Sequence, residues 1–586
     1  MKRVCSGTHF VPILSSMRLA SISRRRTIAH SLRTAAPLLA IQALTIVVVW
    51  PGGDFPLNDD WVYAKMLQTL ANEGRYEIHP YTQAYALVQL LPAAPLVSAF
   101  GFSFGLLRAV TLVFAFLAAW GTALCGRALG LPRPAAVACG ALLLCNPLFM
   151  NLSYTYMTDV PFMACMAFAC LCYLRSLRDG AWQWVLLGTL LSIAAFFSRQ
   201  FGILVPLAFV ATHVLFFRAV RGRITAAAAC ALAIPWAFTL LATGLVHAKR
   251  GRLFLASQTL PGYLEPATFG VIGVVLLSVA LTLGLLLLPF AASLAWPASQ
   301  RKACRPRIAR WVSLGTALAL LMLLMRDPRP LPRLPNMLRN LGVGPLLLRD
   351  IYDMRDPWSP QSLGPVGLWI VTLCAAAAAA ICAGAAWRAC ARKRRAKSIL
   401  LARIGALRYR RMQNLFLLVL AALLVLAPLN PKALVYYDRY LVPALIPLAL
   451  VVARSLPPPW RVSLFRPVAF TCTLFFAFSV VCLHDYMAWN RARWQAIERL
   501  RTEFHAKDTQ IDAGYEFNGM YTSEAFMEKS GAQSFHIQGD KGWWVMGTKF
   551  RVAMSPAKGY RVIGEVPYDS WLGGEQAPIL MLERFR

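Results

Sequence analysis

The sequence predicts a mainly α-helical fold, a membrane helix bundle of about thirteen spans with its N-terminus inside and a small outer C-terminal α/β domain. Of the 586 residues, 58% are hydrophobic and 15% are charged, whereas soluble proteins carry about 25% charged residues. Apolar runs of about 20 residues, long enough to cross a membrane, recur along the chain. This composition excludes a soluble globular enzyme and a disordered protein.

The apolar runs divide the chain into three regions. Residues 1–34 are predicted to form a basic cytoplasmic N-terminus, residues 35–484 a transmembrane domain with an outer loop at 52–104, and residues 485–586 an outer domain. The predicted spans lie near residues 35–51, 105–126, 134–150, 160–177, 182–198, 201–217, 225–246, 268–292, 311–325, 364–387, 414–429, 440–456 and 467–484.

The distribution of charge predicts which side of the membrane each loop occupies. With the N-terminus inside, the inner segments carry more than half of the 60 Lys and Arg residues but a single acid, Asp179. This asymmetry follows the positive-inside rule and places residues 485–586 outside. It also accounts for the net charge of +34 without nucleic acid, because no basic run is interleaved with aromatics on a soluble domain.

The C-terminal region predicts a helix followed by strands. Apolar residues at helical spacing form its first part: Trp489, Trp494, Ile497, Leu500 and Phe504. Segments 542–546 and 549–553 have the alternating pattern of strands. No glycine-rich nucleotide-binding loop occurs anywhere in the chain.

Two adjacent acids lie where the first outer loop turns into a helix. Asn58 is the predicted N-cap, and Asp59 and Asp60 suit the positive end of the helix dipole. One interpretation is that both acids only start this helix. The other is that one carboxylate is a general base, because removing a proton from a hydroxyl needs a positioned carboxylate or histidine.

Metal ligation has little support in the sequence. The 14 cysteines lack zinc-site spacing, and no HxxH or HExxH motif occurs. We predict no dedicated metal site and no certain cofactor. A divalent cation held by Asp59 and Asp60 together with a substrate phosphate is retained as a minority alternative.

Further charged residues lie at the outer ends of predicted spans. Asp159 is a functional candidate because an ionisable group there is costly, although it also suits a helix start. Four basic residues are candidates for binding a phosphate: Arg199, Lys249, Arg250 and Arg439. Snorkelling to the membrane interface is the alternative for Arg199, and an ion pair with Asp438 is the alternative for Arg439. Substrate-positioning candidates lie in the same outer segments: Trp61, Tyr63, His79 and Gln200.

These segments together resemble the GT-C superfamily of membrane glycosyltransferases. The likeness is to the bacterial branch related to protein O-mannosyltransferases and the lipid A aminoarabinose transferase, and it rests on segments 58–61, 158–162, 198–200 and 438–443. The resemblance implies a polyprenyl-phosphate-linked sugar donor used at the outer membrane face. It implies that Asp59 or Asp60 is the catalytic base, that Asp159 positions the acceptor or sugar, and that Arg199 binds phosphate.

The predicted function is therefore inverting transfer of a hexosyl or pentosyl group to a lipid, glycan or protein acceptor. Two other classes remain open. A transporter or flippase would show internal repeats or charges at mid-membrane depth, and neither is seen in the sequence. A non-catalytic scaffold for envelope assembly would leave the acids at positions 59, 60 and 159 without a role.

Overall fold

The computed structural model describes residues 31–216, 225–249, 266–295, 307–338, 364–391, 400–429, 436–456, 462–535, 542–571 and 578–585. Within these residues the protein is mostly helical, with one four-stranded sheet near the C-terminus. This agrees with the predicted fold class.

The helices of the first half of the chain are α1 (Ser31–Val48), α2 (Asp60–Glu73), α3 (Leu87–Phe100), α4 (Phe104–Ala128), α5 (Arg133–Leu144), α6 (Pro147–Ser153), α7 (Asp159–Asp179), α8 (Trp182–Ser198), α9 (Leu204–Leu215) and α10 (Ala226–Lys249). Those of the second half are α11 (Pro266–Leu286), α12 (Leu288–Ala295), α13 (Arg307–Arg326), α14 (Gly364–Ala391), α15 (Leu400–Leu426), α16 (Val442–Ser455), α17 (Val462–Thr502), α18 (Tyr515–Tyr521) and α19 (Ser523–Ser530). Short 3₁₀ turns cover Gln200–Ile203 and Asp438–Leu441.

Many of these helices have the length and hydropathy of membrane spans. In the described parts of the chain, 8 helices are long and apolar enough to cross a membrane, and up to 10 spans result if two bent helix pairs are counted. The protein is therefore a multi-pass membrane protein. The predicted number of thirteen spans is not confirmed, because several further apolar helices, such as α8 and α16, are shorter than a full span.

One of the bent pairs shows how the sequence breaks a span. α5 and α6 meet at 66°. Pro147 has no backbone N–H to donate, so it suits the first turn of α6. The Asn146 side chain accepts hydrogen bonds from the N–H groups of Leu148 and Phe149 and so caps α6. Two N–H groups at the buried start of α6, which have no partner within the helix, thus gain a hydrogen-bond acceptor.

The first outer loop is more helical than the sequence predicts. It contains the expected α2 but also α3, whose 14 residues span about 21 Å and cannot cross a bilayer core of about 30 Å. The prediction that Asn58 caps α2 is wrong. Asn58 has a φ of 57° and lies before the cap position, which Asp59 occupies without a side-chain capping bond.

The predicted last span and the amphipathic helix that follows it are one continuous helix. α17 runs for 41 residues through position 485, where the domain boundary is predicted. Its C-terminal part packs against a sheet of β1 (Ile511–Asp512), β2 (Phe550–Ala553), β3 (Tyr560–Val566) and β4 (Ile579–Arg584) in the order β1-β2-β4-β3. β1 and β2 are parallel, and the other pairs are antiparallel.

The alternating segment 542–546 is not a strand in the structure. Trp543 and Trp544 instead lie in a turn, and Trp544 is fully buried against the aromatic residues of the first outer loop. The alternation reflects burial of these rings between domains rather than strand geometry.

Candidate active site

Four charged residues from four separate segments come together at one end of the bundle. Asp59 precedes α2, Asp159 begins α7, Arg199 follows α8, and Arg439 lies in the 3₁₀ turn before α16. Both guanidinium groups lie over the ring of Tyr440, with centroid distances of 5.3 Å for Arg199 and 5.8 Å for Arg439. We call this group the charged cluster.

Asp59 is the most accessible carboxylate of the cluster, with 19% of its side chain exposed. Its Oδ2 accepts hydrogen bonds from both terminal nitrogens of Arg439, each at 3.3 Å. Its Oδ1 accepts a 2.6 Å hydrogen bond from the hydroxyl of Tyr515. Since a carboxylate has about four lone-pair sites, one position on Oδ1 stays available for a substrate proton.

Asp60 has a different environment, although it is the next residue. It is fully buried, and its two oxygens accept the backbone N–H groups of Tyr156 at 2.7 Å and Leu57 at 3.1 Å. Burial raises the pKa of Asp60 to about 8, against the lowering effect of Arg108 and the two N–H donors. Asp60 has no exposed surface, and each of its oxygens accepts a backbone N–H, so its carboxylate links the loop before α2 to the loop before α7.

Asp159 and Arg199 form an ion pair across the helix ends. The Asp159 side chain is fully buried and lies in the first turn of α7, so the helix-start and functional interpretations both stay open. The neighbouring Ser198 hydroxyl donates to the Thr158 carbonyl at 3.0 Å and holds the two segments together. The Arg199 side chain is 15% exposed, so it lies inside the site rather than extended to the membrane surface.

Arg439 does not pair with its neighbour Asp438, the alternative that the sequence left open. The Asp438 carboxylate accepts the backbone N–H groups of Met337 and Leu338, at 3.1 Å and 2.7 Å. Asp438 thereby holds the segment after α13 against the turn that carries Arg439. Arg439 is left to face Asp59, 380 residues away in the chain.

The predicted substrate-positioning residues mostly lie behind the carboxylate. Trp61 is fully buried and packs edge-on against His79 and Tyr515, while burial lowers the pKa of His79 to about 4 and keeps it neutral. Tyr63 is buried in the hydrophobic core of the bundle. Gln200 donates its amide to the backbone carbonyl of Gln83. Direct substrate contact by these four residues stays a prediction.

The C-terminal domain reaches into the site, which the sequence did not predict. Besides the Tyr515 hydrogen bond, Glu516 accepts the N–H of Asn58 at 3.2 Å and pairs with Arg493 of α17 at 3.0 Å. Lys65 of α2 pairs with Glu524 at 2.6 Å. No local pattern marks Tyr515, because its role depends on a contact between residues 456 positions apart.

A buried arginine in a span supports the approach to α2. Arg108 of α4 is fully buried and donates to the carbonyls of Pro51, at 2.9 Å, Gly53, at 2.6 Å, and Phe55. It thereby satisfies backbone oxygens that would otherwise be buried without donors. An isolated charge in an apolar run was the signal that could have identified it.

The first-loop acids do not suit a divalent cation in this arrangement. Both oxygens of Asp60 already accept N–H groups, and a cation on Asp59 would lie beside the positive Arg439. Within the described residues, no group of three or more His, Cys, Asp and Glu side chains has the geometry of a metal site. The cation stays an untested alternative. Arg250 and the side chain of Lys249 lie outside the described residues.

Part of the chain matches a known protein family. Residues 93–247 match the family described as dolichyl-phosphate-mannose-protein mannosyltransferase. This match confirms the predicted resemblance over residues 93–247. The matched part of the chain contains Asp159 and Arg199, whereas Asp59, Arg439 and Tyr515 lie outside it.

Among curated proteins, none has a significant sequence match to this chain. The crystal structure of ArnT from Cupriavidus metallidurans bound to undecaprenyl phosphate is similar over 80% of this chain and 72% of that one, with 11% identity and a TM-score of 0.38. A TM-score of this size leaves the two folds only loosely related.

Proposed function

We propose that this protein is an inverting glycosyltransferase that moves a sugar from a polyprenyl-phosphate donor to an acceptor hydroxyl at the outer face of the bacterial inner membrane. The observation that carries the proposal is the charged cluster, in which the partly exposed Asp59 pairs with Arg439, and Arg439 and Arg199 lie over the same ring of Tyr440. The match of residues 93–247 to a family named for a lipid-phosphate sugar donor supports the donor class. The charge asymmetry of the loops supports the outer location.

Asp59 is the base in this proposal. Its carboxylate is the one that combines exposure with a free acceptor position, whereas Asp60 and Asp159 are fully buried. The acceptor oxygen attacks the anomeric carbon and forms the new glycosidic bond. Its proton passes to Asp59, while the bond between the anomeric carbon and the phosphate oxygen breaks and its electron pair remains on the phosphate.

The arginines suit the leaving group. Polyprenyl phosphate gains a negative charge as the sugar leaves. One guanidinium group can bind two phosphate oxygens at once, and it stays positively charged at physiological pH. Arg439 and Arg199 are each paired with an aspartate in the structure. Within the described residues, the Nε of Arg439 has no hydrogen-bond partner, while both terminal nitrogens contact Asp59, so a donor phosphate could bind this arginine while Oδ2 of Asp59 stays held.

The test is a transfer assay with the purified protein in vesicles. Polyprenyl-phosphate-linked hexoses and pentoses are the donors, lipid, glycan and peptide fractions are the acceptors, and released polyprenyl phosphate is measured. We expect Asp59→Asn to lower the rate by about 10²–10⁴-fold, the usual contribution of a general base.

Glu73→Gln is the matched control, because Glu73 is an exposed carboxylate at the far end of the same helix. This variant is expected to transfer at the wild-type rate. Full activity of Asp59→Asn would reject Asp59 as the base. Wild-type protein that uses none of the donors would reject the function.

A further inference from the structure

The hydroxyl of Tyr515 is the contact between the C-terminal domain and the proposed base. It donates to Oδ1 of Asp59 at 2.6 Å, the shortest of the hydrogen bonds to this carboxylate. Tyr515 is 8% exposed, and burial raises its pKa well above the usual value, so the hydroxyl stays protonated at physiological pH. It is therefore a permanent donor.

A second tyrosine packs beside this contact. The rings of Tyr81 and Tyr515 have centroids 6.3 Å apart. Tyr81 also packs against Trp61 at 5.4 Å and Trp544 at 5.2 Å. Aromatic residues of the first outer loop and of the C-terminal domain therefore surround the Tyr515 side chain.

The position of Tyr515 is set by the framework around it. Gly514, with a φ of 90°, allows the chain to turn sharply into α18. The next residue, Glu516, binds both the backbone of Asn58 and the guanidinium of Arg493. Arg493 also donates to the carbonyl of Ala513 at 3.0 Å. Both flanks of Tyr515 are thus anchored, one to α17 and one to the residue that precedes Asp59.

We infer that the C-terminal domain is part of the catalytic unit, and that Tyr515 is a positioning residue that orients the Asp59 carboxylate towards the acceptor hydroxyl. The inference rests on the proposed function and adds to it a role for a domain without an assigned activity. Arg439 and Tyr515 hold opposite oxygens, which fixes the rotation of the carboxylate about its bond to the chain. Without the Tyr515 hydroxyl, only Oδ2 of Asp59 is held, by Arg439.

The experiment compares Tyr515→Phe with the wild type in the vesicle transfer assay. Phe retains the ring, which packs against Trp61, Trp543 and Trp544, so the domain stays docked. We expect kcat to fall about tenfold to a hundredfold, as for loss of a hydrogen bond to a charged group, with little change in KM for donor or acceptor.

Tyr521→Phe is the matched control, because Tyr521 ends the same helix and is 41% exposed. Its kcat should equal that of the wild type. A double variant, Asp59→Asn with Tyr515→Phe, should be no slower than Asp59→Asn alone, because the tyrosine acts through the carboxylate.

The outcomes separate the two proposals. Wild-type transfer together with an unchanged kcat for Tyr515→Phe would overturn the positioning role and leave the proposed function in place. An equal loss in the Asp59→Asn background, or a loss confined to KM, would also overturn it. Absence of transfer by the wild type would overturn both proposals.

Discussion

At the scale of single residues, adjacent acids have opposite roles because their surroundings differ. Asp59 is partly exposed and pairs with Arg439, whereas Asp60 is fully buried and accepts two backbone N–H groups. Asp59 lies just before α2 and Asp60 is its first residue, so the two side chains have different neighbours. The same residue type is therefore the proposed base at position 59 and a link between loops at position 60.

This difference predicts that Asp60→Asn acts on stability rather than on chemistry. An amide can present only one acceptor oxygen, so its NH₂ group must face either the Leu57 or the Tyr156 N–H. The lost bond and the unsatisfied donor cost about 1–3 kcal/mol. We expect a lower thermal unfolding temperature in detergent, with the rate per folded molecule reduced far less than in Asp59→Asn.

Asp59→Asn is the comparison for this variant. It removes the charge opposite the buried Arg439, which also lowers stability, but its rate per folded molecule should fall far more than that of Asp60→Asn. The opposite pattern, with a stable Asp60→Asn protein that has lost transfer activity, would move the base to Asp60. The assay and the unfolding curve together distinguish the two acids.

At the scale of elements, the site depends on how closely α18 lies over α2. Gly519 of α18 has no side chain, and a Cβ there would lie 2.4 Å from the buried ring of Trp61. This close approach brings Tyr515, at the start of the same helix, within hydrogen-bond distance of Asp59. A short helix with a glycine at its contact point thus determines the geometry of the carboxylate.

Gly519→Ala should displace α18 from α2. Overpacking of this kind costs about 1–3 kcal/mol, and a displacement of about 1 Å at a reactive group can lower a rate by about 10²-fold. We expect both a lower unfolding temperature and a lower kcat. Gly105→Ala is the control, because the nearest atom to a Cβ there is 4.0 Å away. Unchanged kcat in Gly519→Ala would show that the contact does not control the site.

At the scale of the whole molecule, the membrane orientation determines which substrates the site can reach. The inner segments defined by the sequence contain most of the basic residues and a single acid, Asp179. The charged cluster and the C-terminal domain lie at the same end of the bundle, since Tyr515 contacts Asp59 directly. The charged cluster and the C-terminal domain must therefore lie on the same side of the membrane.

Reporter fusions test this orientation. An alkaline phosphatase fused after Arg586 should be active, because it requires export, whereas a phosphatase fused after Arg394 should be inactive. A fluorescent protein that matures only in the cytoplasm should give the reverse result at the same two positions. Reversed signals at both positions would place the site on the inner face and contradict the outer donor.

The sequence by itself determined the membrane class, most of the helices and the candidate charged residues. Hydropathy over about 20 residues is a local property, so α4, α7 and α14 can be recognised without knowledge of their neighbours. Asp59, Asp159, Arg199 and Arg439 could be selected because charges at the ends of apolar spans are costly and uncommon. The alternatives for each residue stayed open at that stage.

Only the tertiary structure decided among those alternatives. It paired Arg439 with Asp59 instead of Asp438, buried Asp60, and brought Tyr515 to a carboxylate 456 residues away. It also merged the last span and the domain helix into α17. The physical reason is that burial and hydrogen-bond partners depend on how distant segments pack, whereas hydropathy and helix signals act within a few turns of one segment.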